Sequence, residues 1–369
     1  MIVEYLFYIF LVATVVQLLY HVLIFIRIWF YKESEHFNYE PVSVIVSSKN
    51  QLDDLRSNLI YFLDQEYPKF EVIVINDASS DGTDDYLEEL QKKYDYLKVV
   101  TNTIQENDRF NKGRKFGITL AIKSATHDNL LFSDADSYPS STQWIKKMQA
   151  SVSSKNQIVL AYSRLEKRKG LFNRLLRYES LYEGLLSFSC SLCGFPLLAQ
   201  RRNIAYNRGL FFSINGFFSH LNLSRGEAKL FVDEASNSRN TAVCLSADAM
   251  TLSNKQKSYL EWFYHKRSYF HLVKRLRFSS LLILGMNFFS QLIFWLLIPI
   301  LLIYQINTQW VLLAFSLRFC MQYIVYWKMC KFTNEYGLLW FLPLYEISLM
   351  LIHLMLSLST FIKKVHDWD

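Results

Sequence analysis

Two carboxylates one residue apart, Asp134 and Asp136, end the apolar run Leu130-Leu-Phe-Ser133. Side chains alternate along an extended chain, so both acids point to the same side. Two convergent carboxylates suit a hard divalent cation, Mg²⁺ or Mn²⁺, and a cation so held suits a substrate that carries phosphates. A solvated turn after a strand is the bland alternative for any single Asp-x-Asp. A third acid, Asp77, follows another apolar run, Phe70-Glu-Val-Ile-Val-Ile75, inside the turn Asn76-Asp-Ala-Ser-Ser-Asp-Gly-Thr83. Ser80 and Thr83 in that turn are read as caps of the next helix in preference to ligands of a phosphate at its N-terminus.

The elements that must position these acids alternate in type. Pro41-Val-Ser-Val-Ile-Val46 is short, β-branched and almost wholly apolar, which reads as a buried strand. Ser47-Ser-Lys-Asn50 turns it into a helix over residues 52–65, with Leu55, Leu59 and Phe62 at helical spacing. Strand 70–75, a helix over 84–94, a strand at 97–101, a helix over 112–124 and strand 130–133 follow. Alternation of this kind predicts an α/β fold, a mostly parallel sheet with helices on both faces. Ligands of open α/β sheets bind outside the carboxyl ends of the strands. Asp77, Asp134 and Asp136 are therefore expected to share a cleft.

The chain is 51% hydrophobic and 16% aromatic, but unevenly so. Apolar residues pile up in residues 1–31 and again over 281–361, around a polar middle of ordinary globular character. About 20 apolar residues cross a bilayer, so an uncleaved N-terminal anchor and two or three C-terminal spans are expected. Arg27 and Lys32 place the carboxyl end of the anchor, and with it the middle domain, on the cytoplasmic side of a cell membrane. Lys363 and Lys364 after the last stretch conflict with three full spans and leave an interfacial or re-entrant end open. Residues 255–277 are basic with interleaved aromatics and read as an amphipathic segment in the bilayer interface, or as a surface helix of the domain. Arg318 lies within one apolar stretch and Glu346 within another, as a lipid-phosphate contact or as an intramembrane pair. The five cysteines are an odd count with no zinc-type spacing, and Cys190 and Cys193 are read as small buried residues. Membrane lipids are the partners expected for the basic clusters, and no nucleic-acid motif stands out.

In order and spacing, Val44-Ile-Val-Ser-Ser-Lys-Asn50, Val74-Ile-Asn-Asp-Ala-Ser-Ser-Asp-Gly-Thr83 and Asp134-Ala-Asp136 resemble the signature series of family-2 glycosyltransferases. The resemblance covers residue 41 to about residue 235, and the flanking spans suggest the membrane-bound branch. It implies a GT-A fold over residues 41–250 and a nucleotide-sugar donor. By matching position, Ser47, Asn50 and Asp77 would contact the donor, with Asp77 on the base, usually uracil. Asp134 and Asp136 would hold the ribose and the Mg²⁺ or Mn²⁺ on the diphosphate. Arg114 and Lys115 fall where the family places basic residues near the donor. Arg202 and Asn203 match the acceptor side. The implied reaction is a metal-assisted inverting displacement onto a lipid-linked or membrane-proximal acceptor.

Two stretches depart from the pattern. Where an acidic cluster is expected, the chain reads Arg225-Gly-Glu-Ala-Lys-Leu-Phe231, which leaves Glu227 as the candidate catalytic base. Asp233 and Glu234 are expected on a helix past the site. Where an Arg-Trp or Arg-His pair is expected, the chain has Lys266-Arg-Ser-Tyr269, which keeps the charge of Lys266 and Arg267 on the diphosphate side. The alternative function is a catalytically impaired relative that binds nucleotide sugar or a partner enzyme.

Overall fold

The computed structural model describes residues 2–34, 37–102, 113–221, 223, 225–254 and 258–362. The expectations that concern Lys112, Lys255, Lys363 and Lys364 lie outside these residues. Strand β1 (Val42–Ser48) is buried along its whole length, as a strand covered on both faces must be. It pairs in parallel with β2 (Phe70–Asn76) and with β4 (Asn129–Asp134), and β3 (Leu97–Thr101) continues the parallel set beyond β2. The sheet is completed by β8 (Ile204–Asn207), β6 (Ile158–Ala161) and β9 (Thr241–Cys244), in the order β3-β2-β1-β4-β8-β6-β9. Only β8 runs against its neighbours. A small second sheet joins β5 (Ser137–Pro139), β10 (Thr251–Ser253) and β7 (Ser163–Leu165).

Alternation along the strands sends Val44, Val46 and Val74 to one face and Ile45, Ile73 and Ile75 to the other. The first face packs on α2 (Leu52–Leu63), α3 (Thr83–Gln91) and α5 (Trp144–Gln149) through Leu55, Leu59, Leu87 and Trp144. The second packs on α4 (Gly113–Ser124) and on the long α6 (Leu171–Leu192) through Ile118, Ile122, Leu181 and Leu185. Short helices α7 (Arg208–Ser213) and α8 (Lys229–Ala235) follow β8, and Asp233 and Glu234 lie on α8. Asp81 rather than Ser80 or Thr83 serves the start of α3. Its carboxylate accepts the Thr83 N–H at 3.3 Å and the Thr83 hydroxyl at 2.6 Å, because the capping position falls on Gly82, which has no side chain.

Four helical stretches are long and apolar enough to cross a membrane: Glu4–Phe30, Phe278–Ile303, Thr308–Thr333 and Tyr336–Thr360. The first begins as α1 (Ile2–Leu19) and passes through a π turn at Tyr20–Ile24 and a 3₁₀ turn at Phe25–Phe30. The others are α10 (Phe278–Ile303), α11 (Thr308–Thr333) and a 3₁₀ turn that leads into α12 (Leu342–Ile362). Arg318 and Glu346 pair between two of these apolar helices, each about 1% exposed. Packing ignores the expected segment boundaries. Tyr20, Phe25 and Ile28 of the first span and Tyr326, Met329 and Tyr345 of the last two share one core with Ile45 and Ile73 of the sheet. The basic segment is helix α9 (Tyr259–Leu272), opened by a Ser258/Glu261 capping box. Its Trp262 is 3% exposed, and Phe270 stacks near His353 of α12, so part of this helix is held by protein.

Candidate active site

The register of the parallel strands assembles the site. Ser48 stands opposite Asn76, and Ser47 opposite Asp134, so the carboxyl ends of β1, β2 and β4 deliver Ser47, Asp77 and Asp134 to one edge. Because β8 runs backwards, the residues that precede it reach that same edge, which brings Arg201 and Arg202 over the acids. Asp77 is held at the β2 end. Its backbone N–H donates to the Ser48 carbonyl at 3.0 Å, and its carboxylate accepts from the Asn102 amide at 2.7 Å with Lys49 at 3.9 Å. The next residue, Ala78, has φ of +51°, an uncommon conformation for a residue with a Cβ. The Asn76 side chain supports it by accepting the Ser79 N–H at 3.1 Å. Asn50, also at positive φ, accepts the Ser80 N–H at 2.9 Å and ties the first strand end to the Asp77 turn.

Three acids and three arginines meet at the centre. Asp136 is gripped by both prongs of Arg202, with Nε and Nη2 each 2.7 Å from a different carboxylate oxygen. Asp134 faces Arg114, Arg201 at 3.0 Å and Arg202 at 3.6 Å. Glu227 lies 2.9 Å from Arg114 Nε and 3.8 Å from Arg201 Nη1. Not every contact is aligned: Arg114 Nη2 donates to Asp134 Oδ1, but Asp134 Oδ2 and Arg114 Nε are buried and form no hydrogen bond of good geometry. Glu227 is placed by Gly226, whose φ of +92° disfavours any side chain and whose added Cβ would meet Leu230 and Leu272 at 2.9 Å. Burial raises the Glu227 carboxyl, but Arg114 and Arg201 outweigh it and hold the group below its ordinary value, as a carboxylate. Burial and the neighbouring Arg201 pull Arg114 down to about 10, which leaves it charged at neutral pH.

Beside this cluster lies a cavity of about 160 Å³, walled by Arg201, Arg202 and Lys229, by Glu179 and Glu183 of α6, and by Trp262, Lys266 and Tyr269 of α9. Lys266 reaches Glu179 at 3.1 Å and Glu183 at 3.0 Å, Lys229 reaches Glu183 at 3.3 Å, and Trp262 donates to Glu179 at 3.0 Å. Burial opposes the charge on Glu183, yet Lys229 and Lys266 hold its carboxyl well below the usual range. The wall thus mixes fixed charges of both signs with aromatic faces, a lining suited to a hydroxyl-rich molecule.

Several expected site residues are used otherwise. Lys115 is buried and donates to the carbonyls of His220 at 2.6 Å and Leu223 at 2.8 Å, so it ties down the loop before Glu227 and does not face the acids. Burial brings its ammonium down to about 8. Asn203 is fully buried and donates to Tyr162 and Ala249 carbonyls at 2.8 Å, a purely architectural role. Lys266 faces the cavity acids, and Arg267 donates to the Ser359 carbonyl at the end of α12. Ser47 lines a small pocket with Arg114 and Glu227. Arg201, Glu179 and Glu183 are not among the residues that the sequence marks as a site, and Trp262, one of the interleaved aromatics of the basic segment, lines the cavity. The doubled Arg201-Arg202 and the acids spaced four apart on one helix were the available signals.

Comparison with known proteins bears on the fold and the family. The family model described as glycosyl transferase family 2 matches residues 43–218. A poly-β-1,6-N-acetyl-D-glucosamine synthase of Staphylococcus epidermidis is 31% identical over 104 residues, 28% of this chain and 24% of that protein. A probable glycosyltransferase of Bacillus subtilis, YdaM, is 33% identical over 100 residues, 27% of this chain and 23% of its own. The match thus spans about a quarter of the length of these relatives. In three dimensions the chain is similar to the mannosyltransferase PcManGT from Pyrobaculum calidifontis, solved with GDP-Man and Mn²⁺. The TM-score is 0.60 at 16% identity, over 95% of this chain and 99% of that one. The fold is GT-A, with apolar helices packed on it, and residues 43–218 are the part of the chain that matches glycosyl transferase family 2.

Proposed function

We propose that this chain transfers a sugar from a nucleotide-diphosphate donor, a UDP-sugar by the position of Asp77, to a hydroxyl of a lipid-linked or membrane-proximal acceptor. The observation that carries the reading is the convergence of Asp77, Asp134, Asp136 and Glu227 on one sheet edge, beside a cavity large enough for an acceptor group. The donor base lies against Asp77 and Asn102, the diphosphate near Asp134 and the arginines, and the acceptor in the cavity walled by α6 and α9. Apolar helices packed on the domain support a membrane-proximal acceptor and a multi-pass, cytoplasm-facing arrangement.

Asp134 and Asp136 fit a Mg²⁺ or Mn²⁺ that takes the rest of its shell from phosphate oxygens. The buried Asp134 Oδ2 has no aligned donor, and among the described residues no third acid, His or Cys completes an all-protein cage. Such an ion would stabilise the charge that grows on the departing diphosphate. Glu227, already ionised, takes the proton of the attacking hydroxyl, and direct displacement inverts the anomeric carbon. Arg114 and Arg201 orient that carboxylate.

A second reading, donor binding without transfer, draws on Lys229, whose ammonium stands two residues beyond Glu227 against Glu183 where the family pattern has acids. Calorimetry of UDP and GDP binding to the detergent-purified chain, with and without Mn²⁺ and beside Asp136→Ala, tests the donor site. Metal-dependent binding lost in the variant supports it. A screen of nucleotide sugars for turnover then separates the enzyme from the binder.

A further inference from the structure

Resting on that reading, we propose that Arg202 closes the carboxylate pair against a free cation, so that the divalent ion and the donor diphosphate each bind more tightly when the other is present. Both oxygens of Asp136 are taken by the Arg202 fork at 2.7 Å, and the same guanidinium reaches Asp134 at 3.6 Å. A cation bridging the two acids must displace it. Asp134 and Asp136 are 1% and 3% exposed, so a displaced charge on either side is costly unless another partner meets it.

The charge balance makes the coupling specific. Among the described residues, Asp134, Asp136 and Glu227 carry three negative charges, and Arg114, Arg201 and Arg202, which pair with them, carry three positive ones. A divalent cation alone leaves two positive charges in excess in a poorly hydrated site. A nucleoside-diphosphate ester alone leaves two negative charges in excess. Together they restore neutrality: the cation takes the aspartate oxygens, and the freed guanidiniums take phosphate oxygens, which match a planar fork as well as a carboxylate does. Arg201 follows the same exchange, since its 3.0 Å contact is with the same Asp134. Coupling of this kind is reciprocal, so diphosphate must tighten the metal by the factor with which the metal tightens diphosphate.

The test is Mn²⁺ binding by electron paramagnetic resonance on the full chain in detergent, with no turnover required. UDP serves as the diphosphate, or GDP where UDP is not bound. In the native chain, Mn²⁺ affinity rises by about tenfold or more when the nucleotide is added, within the usual range of site coupling. In Arg202→Gln, Mn²⁺ alone binds about tenfold more tightly than in the native chain, and the nucleotide adds less. Arg202→Lys, which keeps the charge and loses the fork, lies between and serves if the glutamine variant does not fold. Native protein that takes Mn²⁺ as tightly alone as with the nucleotide overturns this inference and leaves the donor site standing. A folded Arg202 variant with unchanged metal-alone affinity does the same. A chain that binds neither nucleotide with any metal overturns the donor reading and this inference with it.

Discussion

This protein holds arginine against carboxylate in two places, and the two are built differently. In the bundle of long apolar helices, Arg318 donates to both oxygens of Glu346, to Gln322 at 2.9 Å and to Gln17 at 3.1 Å, with Phe294 beneath it at 4.9 Å. Gln322 and Gln291 fill what remains on Glu346. In the catalytic domain, Arg114, Arg201 and Arg202 keep between 20 and 24% of their side chains accessible, and their contacts leave Asp134 Oδ2 without an aligned donor. A carboxylate whose lone pairs are all taken by buried protein donors is a fastener. One that is surrounded by movable cations with a lone pair left over is a receptor for something else.

The largest effect that would break this contrast is at Glu227. Glu227→Gln is expected to keep nucleotide binding and to lower turnover by about 10² to 10⁴, the usual worth of a general base. Turnover at the native rate would make Glu227 a second fastener. Next, Glu346→Ala leaves Arg318 unpaired in the bundle and is expected to cost about 3–5 kcal/mol, read as a fall in thermal midpoint in detergent. Replacing both partners by apolar residues of similar volume should recover most of that loss, which no pair of substitutions at Asp136 and Arg202 should do for donor binding.

Acid sharpens the same distinction within the domain. Glu227 has its carboxyl below the ordinary value near 4.5, so the folded state binds fewer protons than the unfolded one. Stability from this pair is present above that pH and is lost as pH falls through the folded value. Glu227→Gln should therefore flatten the acid limb of a stability–pH curve. The smallest effect is at the α9 cap, where Ser258→Ala should cost about 1 kcal/mol, visible as faster amide exchange in α9 with the arginine cluster unchanged.

The strands and the acids at their ends were legible in the sequence because both depend on local pattern: a β-branched run, then a polar turn. What was not legible was direction around an element. Three adjacent pairs were read as acting together, and each is split. Arg114 faces the acids while Lys115 holds backbone carbonyls; Lys266 faces the cavity while Arg267 reaches α12; Arg202 grips Asp136 while Asn203 is buried in the fold. Neighbours on a helix diverge by about 100°, which splits the first two pairs, and the turn closed by Asn203 N–H on the Gln200 carbonyl splits the third. Arg201 escaped notice for a different reason. Its place depends on β8 running backwards, a fact of topology that composition does not carry.

The shared core has a consequence for how this protein can be handled and how it could have diversified. Tyr178 of α6 stacks on Tyr326 and Tyr345 of the last two spans, and Arg177 pairs with Glu335 between them. A fragment cut at residues 41 and 250 would bare these rings and the Phe25 and Ile28 contacts together, an apolar face that invites aggregation. Grafting the catalytic half onto a foreign anchor would meet the same mismatch. Catalytic half and anchor are expected to tolerate change only in step, which ties the inheritance of one to the other.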